Sequence, residues 1–148
     1  MHKGFTLIEL LVTMALIAIL VGTYFLVANP AGQLAASRNS ERTLNLDALM
    51  NAIRQNIADQ SNEKFLCAAG SIPATSTPMS SAAGSYDIAP CLVSTYLFSL
   101  PFDPSAPDGH YASVSDYDTG YNISVDASGT ITLSAPFAEL GKTISVSG

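Results

Sequence analysis

The N-terminal apolar segment constrains the fold of this chain more than any other feature. The run from Leu10 to Ala28 is 19 residues long and carries no charged side chain, and an α-helix needs about 20 such residues to cross a bilayer. The only charged residue between Gly4 and Ala28 is Glu9. Because a carboxylate at mid-membrane costs about 2.5 to 3.5 kcal/mol on insertion scales, Glu9 indicates a function beyond anchoring.

Two ordinary targeting signals account for only part of this segment. A secretory signal peptide has its small-residue cleavage site after the apolar region, whereas Gly4 stands before it. A simple signal anchor explains Lys3 and the apolar run, but neither Glu9 nor the Gly4–Phe5 junction. Attraction between a carboxylate and a helix N-terminus, about 0.3 to 1 kcal/mol, is smaller than the cost of insertion.

The residues Lys3 to Val12, KGFTLIELLV, resemble the class III processing signal of type IV prepilins and type II secretion pseudopilins. The resemblance implies that residues 1–4 are a leader, that a prepilin peptidase cuts between Gly4 and Phe5, and that the new amine of Phe5 is methylated. It also implies that Glu9 acts in subunit docking. The fold expected is α+β and type IV pilin-like, with a long N-terminal helix packed on a small antiparallel sheet of three or four strands.

Cleavage after Gly4 would create a partner for Glu9. The α-amine of Phe5 would lie about 6 Å from Glu9 along the helix axis, and a buried carboxylate needs a charged or hydrogen-bonding partner. A neighbouring subunit, staggered along a filament, could present its own Phe5 amine more directly. We therefore expect this pairing to set the register in which subunits add as they leave the membrane.

Two helices with a break between them are predicted. Gly22 and Pro30 interrupt the apolar membrane-anchor helix of residues 5–30, since proline lacks a backbone N–H and clashes with the preceding turn. Residues 31–66 are predicted to form an amphipathic helix, because apolar residues recur at three- and four-residue spacing. These residues are Leu46, Leu49, Met50, Ile53 and Ile57. Such a stripe indicates a face that packs on a sheet rather than a cofactor pocket.

Residues 67–148 are predicted to form a globular head rich in β-structure. Short β-branched or aromatic runs between turn residues indicate strands at Tyr111–Val114, Tyr121–Val125, Thr130–Leu133 and Thr143–Val146. The sequence from Asp126 to Gly129 predicts a hairpin. A short helix at Leu92–Leu100 is also compatible with the sequence, and the prolines at positions 101, 104 and 107 predict an irregular connector.

The two cysteines, Cys67 and Cys91, lie in the part of the chain that would face away from the cytoplasm. An even pair in that environment predicts a disulfide, which would close a loop of Ser, Ala, Thr, Pro and Gly with few core-forming residues. Two unlinked buried thiols are the alternative. A metal site is less favoured, since His110 is the only histidine left after processing.

The head shows no pairing of a nucleophile with a base at a recognisable spacing, so we expect a non-enzymatic protein without a cofactor. A calcium site is the one metal site considered, because calcium prefers oxygen ligands and some major pseudopilins bind it in their C-terminal region. The candidate ligands are Asp103, Asp108, Asp116, Asp118 and Asp126. Their spacing matches no calcium loop, and aspartates are also common in turns.

Charge and length complete the functional prediction. With 12 acidic and 6 basic residues, no direct nucleic-acid binding is expected, and the 148 residues of the chain suit one domain plus an anchor.

The resemblance implies a structural subunit that polymerises through its N-terminal helix. Its partners would be copies of itself, a prepilin peptidase, an inner-membrane assembly platform and minor pilins. It would move from the cytoplasmic membrane to a surface filament or a periplasmic pseudopilus. The alternatives are a type II secretion pseudopilin and, in another class, a monomeric membrane-anchored binding module.

Overall fold

The computed structural model describes residues 4–60 and 64–148. Leader residues 1–3 and residues 61–63 of the predicted amphipathic helix lie outside the described residues. The chain divides into two compact units, residues 1–34 and 35–148. The helices are α1 (Leu7–Ala28), α2 (Pro30–Asp59) and α3 (Ala89–Leu92), and the strands are β1 (Thr77–Ser80), β2 (His110–Ser113), β3 (Asp116–Val125), β4 (Ile131–Ser134) and β5 (Ser145–Ser147).

The predicted break between the first two helices lies at Asn29, next to Pro30. Asn29 ends α1 in a left-handed conformation with φ of 37°, and its side-chain oxygen then accepts a 3.3 Å hydrogen bond from the Gly32 N–H in the first turn of α2. The prediction of a second break at Gly22 is not met, because Gly22 lies inside α1. Glycine keeps its backbone N–H and continues the hydrogen-bond ladder, whereas proline cannot donate to it.

The second unit is built on a five-stranded antiparallel sheet, so the predicted α+β class is confirmed, with one strand more than expected. The strand order is β1-β3-β4-β5, and β2 also pairs with β3. Asp118 in β3 pairs with Ser80 of β1 and with His110 of β2. The long strand β3 therefore pairs with other strands along both of its edges.

The predicted apolar face of α2 forms one core with the sheet. Leu46, Leu49, Met50 and Ile53 are buried, and Ile57 packs against them at the margin. On β3, burial alternates residue by residue, which places Tyr117, Thr119, Tyr121 and Ile123 on the inner face, as a sheet with one covered face requires. The hairpin predicted at Asp126–Gly129 joins β3 to β4, where the Asp126 N–H donates to the Thr130 carbonyl at 3.0 Å.

Strand β1 was missed by the sequence analysis. It lies in the loop between the cysteines, and the expectation that this loop contributes little to the core is wrong. Met79 of β1 is fully buried, as are Tyr86 and Ile88 further along the loop. Pro78 argues against a strand at this point of the sequence, because proline cannot donate a backbone hydrogen bond. It is tolerated here because β1 is an edge strand. The short helix predicted at Leu92–Leu100 is also misplaced. The helix in the structure, α3, spans Ala89–Leu92 and shares only Leu92 with the predicted segment.

The predicted disulfide between Cys67 and Cys91 is present, with Cα atoms 5.1 Å apart and a sequence separation of 24. Closing a loop of this length stabilises the fold by about 3 kcal/mol in the chain-entropy account. Both cysteines of the chain are used in this bond.

A buried ionic network on α2 was also not foreseen. The Arg42 guanidinium is fully buried and binds the equally buried Asp103 carboxylate through two hydrogen bonds of 2.7 and 3.0 Å. It also donates to Glu139 at 3.0 Å and to Asn39 at 2.8 Å. Arg38, one turn earlier, forms a bidentate pair with Glu139 at 2.6 and 2.7 Å. Two distant loops are thus fixed to one helix.

We expect Arg42→Ala to lower the free energy of unfolding of the head (residues 35–148) by about 3 to 5 kcal/mol, because Asp103 would stay buried without its partner. Arg38→Ala is the matched control and should change stability little, since its ion pair is partly exposed to solvent. The measurement is urea unfolding of the detergent-solubilised chain followed by tyrosine fluorescence. Equal losses in the two variants would contradict this assignment.

The same network predicts an acid-sensitive step. Hydrogen bonds from Arg38 and then Arg42 lower the pKa of Glu139 from 4.5 to about 2. Because the folded state favours the carboxylate, this stabilisation is present above about pH 4.5 and is lost as the pH falls towards 2. Glu139→Gln should therefore flatten the fall in stability over that range, as measured by thermal unfolding at a series of pH values. Glu41→Gln, an exposed position on α2, should keep the wild-type slope.

Candidate functional site

The predicted processing site lies immediately ahead of α1. Gly4, Phe5 and Thr6 have no regular secondary structure, and the helix begins at Leu7. The Phe5 side chain is 82% exposed, and the backbone of Thr6 is extended, with φ of −83° and ψ of 153°. The bond between Gly4 and Phe5 therefore lies outside the helix.

Glu9 forms a capping box with Thr6. Its Oε2 atom accepts hydrogen bonds of 3.2 Å from the backbone N–H and from the hydroxyl of Thr6. In return, the Glu9 N–H donates to the Thr6 hydroxyl oxygen at 3.3 Å. This reciprocal arrangement satisfies two N–H groups at the start of the helix. The sequence contains the signature of a capping box, which is Thr followed three residues later by Glu ahead of an apolar run. The role of Thr6 was not predicted from it.

The capping box gives Glu9 a partner before any new amine exists. The residues named in the processing and assembly predictions, Gly4, Phe5 and Glu9, line one cleft of about 310 Å³ together with Thr6. In the uncut chain the nitrogen of Phe5 is an amide. Cleavage would turn it into a charged amine one residue ahead of the N–H group that already binds Glu9.

Helix α1 presents an apolar surface all round. Residues Leu7–Phe25 form a span of 19 residues, long and apolar enough to cross a membrane, and none of this span is buried within the chain. Its two threonine hydroxyls bind their own helix, since Thr13 donates to the Leu10 carbonyl at 3.0 Å and Thr23 to the Leu20 carbonyl at 2.9 Å. Both polar side chains are thus satisfied without water, as a lipid or packed-helix environment demands.

The aspartates proposed as calcium ligands have separate structural roles. Asp103 binds Arg42. Asp118 accepts a 2.8 Å hydrogen bond from the Gly120 N–H within β3, and Gly120 has a φ of +68°. Asp126 accepts from the N–H groups of Ser128 and Thr130 at 2.8 and 3.0 Å. The hydrogen bond from the Ser128 hydroxyl, and then those from the backbone N–H groups, lower the pKa of Asp126.

The two remaining aspartates, Asp108 and Asp116, flank His110 at the surface. The Asp108 carbonyl lies 2.6 Å from Nδ1 of His110, and the Asp116 carboxylate lies 3.1 Å from Nε2. These contacts, the Asp108 carbonyl first, raise the pKa of His110. Within residues 4–60 and 64–148, no group of three His, Cys, Asp or Glu side chains is placed to hold a metal ion. The calcium site stays a prediction from the sequence.

Comparison with known proteins gives a match on this segment. Residues 1–25 match a family described as the prokaryotic N-terminal methylation motif. The matched residues include Gly4, Phe5, Thr6 and Glu9 and most of α1. No curated protein and no solved structure matches the chain.

Proposed function

We propose that this chain, a precursor of the type IV pilin or pseudopilin type by its methylation motif, is a structural subunit of a type IV pilus-like filament. The observation that carries the proposal is a processing signal joined directly to a helix that is apolar on every side and unburied. A helix of this kind requires either lipid or a bundle of similar helices around it. The head has its own core, and none of the span Leu7–Phe25 is buried within the chain.

The membrane holds the precursor first. Lys3 on the short leader suits a cytoplasmic N-terminus under the positive-inside rule, so the head would lie on the far side. In lipid, packing between helices gains little from the hydrophobic effect. Outside lipid, each Leu, Ile or Phe of α1 left in water would forgo about 1.5 to 3 kcal/mol of burial. Extraction of the subunit is therefore favourable only when α1 passes directly into a filament core.

The partners follow from this sequence of steps. A prepilin peptidase would cut after Gly4 and methylate Phe5, and an inner-membrane assembly platform with minor pilins would transfer the processed subunit to the filament. Copies of the same chain would surround α1, and the heads would form the outer surface. A type II secretion pseudopilus would use the same signal and the same helix, with the filament confined to the periplasm.

Mass spectrometry of the chain from membranes of cells with a prepilin peptidase tests the processing step. We expect a mature protein that begins at Phe5 and is one methyl group heavier than the unmodified fragment. Gly4→Leu should leave the full-length precursor, because a large side chain replaces the small residue at the cut. Gly22→Leu is the matched control and should be processed normally. A retained Met1 on the wild-type chain would instead favour a monomeric anchored module.

Variants of Glu9 separate its two roles. Glu9→Gln keeps the capping box, since glutamine also serves at this position, but removes the charge that would pair with the Phe5 amine. Glu9→Val removes both. We expect both variants to be processed and to yield few filaments, at least tenfold fewer than wild type by sedimentation of sheared filaments. Normal filament yield from Glu9→Gln would show that capping, and not charge, is what assembly requires.

A further inference from the structure

Asn56, on the last turns of α2, bonds to both chain segments that carry the cysteines. Its side chain is buried, with 4% of its surface exposed. The amide oxygen accepts a 2.9 Å hydrogen bond from the Leu66 N–H, and the amide nitrogen donates to the Leu66 carbonyl at 3.2 Å and the Cys91 carbonyl at 3.4 Å. Leu66 directly precedes Cys67 in the chain.

This arrangement ties the ends of the cysteine loop without using sulfur. A buried amide is costly unless its hydrogen bonds are made. Asn56 therefore favours the state in which the Leu66 and Cys91 segments are docked on α2 together. Both segments are held to one side chain by hydrogen bonds that do not involve the cysteine sulfurs.

The middle of the loop is anchored independently. The Tyr117 hydroxyl donates to the Asp87 carboxylate at 2.8 Å and accepts from the Ala89 N–H at 3.2 Å. The Val125 N–H donates to the Pro73 carbonyl at 2.9 Å. Since Met79 of the same loop is buried in the core, the loop is held to the head by packing and by polar contacts that do not depend on oxidation.

We propose that Asn56 is the positioning residue for oxidation of Cys67 and Cys91, so that the head folds first and the disulfide closes on cysteines already in place. The oxidant is a small or protein disulfide, such as oxidised glutathione. One cysteine thiolate attacks it and forms a mixed disulfide, releasing one thiolate. The second cysteine thiolate then attacks the mixed disulfide, which yields the Cys67–Cys91 bond and a second released thiolate.

The proposal is tested with the full chain in detergent micelles, equilibrated in mixtures of reduced and oxidised glutathione. Acid quenching, alkylation of free thiols and mass spectrometry give the effective concentration of the two thiols. Loss of the Asn56 hydrogen bonds should lower this value about tenfold in Asn56→Ala. Asn56→Leu should show the same loss while keeping the side-chain volume in the core, so that a failure to fold can be distinguished from a failure to position.

Asn45→Ala is the matched control. Asn45 lies on the same helix and donates to the Phe102 carbonyl at 3.2 Å and the Tyr121 hydroxyl oxygen at 3.0 Å, in a part of the head without cysteines. We expect its effective thiol concentration to equal that of wild type. Values for both Asn56 variants within twofold of wild type would overturn the proposal, as would an equal loss in Asn45→Ala.

A second measurement needs no substitution. If the loop ends are docked before oxidation, the Leu66 amide of the fully reduced wild-type chain should still be protected from hydrogen exchange, because the Asn56 oxygen accepts from it. Rapid exchange of that amide in the reduced chain, with slow exchange after oxidation, would show that the disulfide positions Asn56 instead. That result would overturn the proposal and leave the proposed filament function untouched.

Discussion

A helix that is apolar on every side and begins with a carboxylate has few stable environments, and the rest of this molecule depends on that constraint. Water is an unfavourable environment for α1, because the Leu, Ile and Phe side chains of this helix are exposed. Lipid accommodates them but penalises Glu9. A packed bundle of the same helices accommodates the apolar surface and can supply a cation for the carboxylate. The proposed passage from membrane to filament is the route that relieves both penalties in turn.

Under the proposed function the head meets a different constraint, because it would have to stay folded while its anchor moves from the membrane to a filament. Three features connect remote parts of the chain to α2: the apolar face, the buried Arg42–Asp103 pair and the contacts of Asn56. A buried ion pair is weak evidence for net stability, yet removing one partner is costly. Such a pair therefore disfavours alternative packings of the loop around Asp103 more than it adds to the total free energy of folding.

Local features of this chain could be predicted from its sequence, whereas features that depend on distant partners could not. The apolar stripe of α2 and the hairpin at Asp126 are local patterns, and each predicted its structure because residues close in sequence determine it. Strand β1 and the Arg42 network depend on partners far along the chain, which periodicity cannot reveal. Asp103 illustrates the difference: as one of several aspartates in a proline-rich connector it suggested a calcium ligand, and only the fold brings Arg42 to it. Thr6 differs again, since its capping signature was present and was overlooked.

The capping box changes the physical meaning of Glu9. An isolated carboxylate at this depth would need its amine partner at once, but Thr6 supplies two donors to it in the uncut chain. Hydrogen bonds from neutral groups lessen the cost of the charge and do not cancel it. Glu9 is thus held in a geometry that the precursor can tolerate, while its charge still favours a cation. Under the proposed function, cleavage would create that cation on every copy, and a staggered neighbour would bring its own amine to a carboxylate that is already oriented.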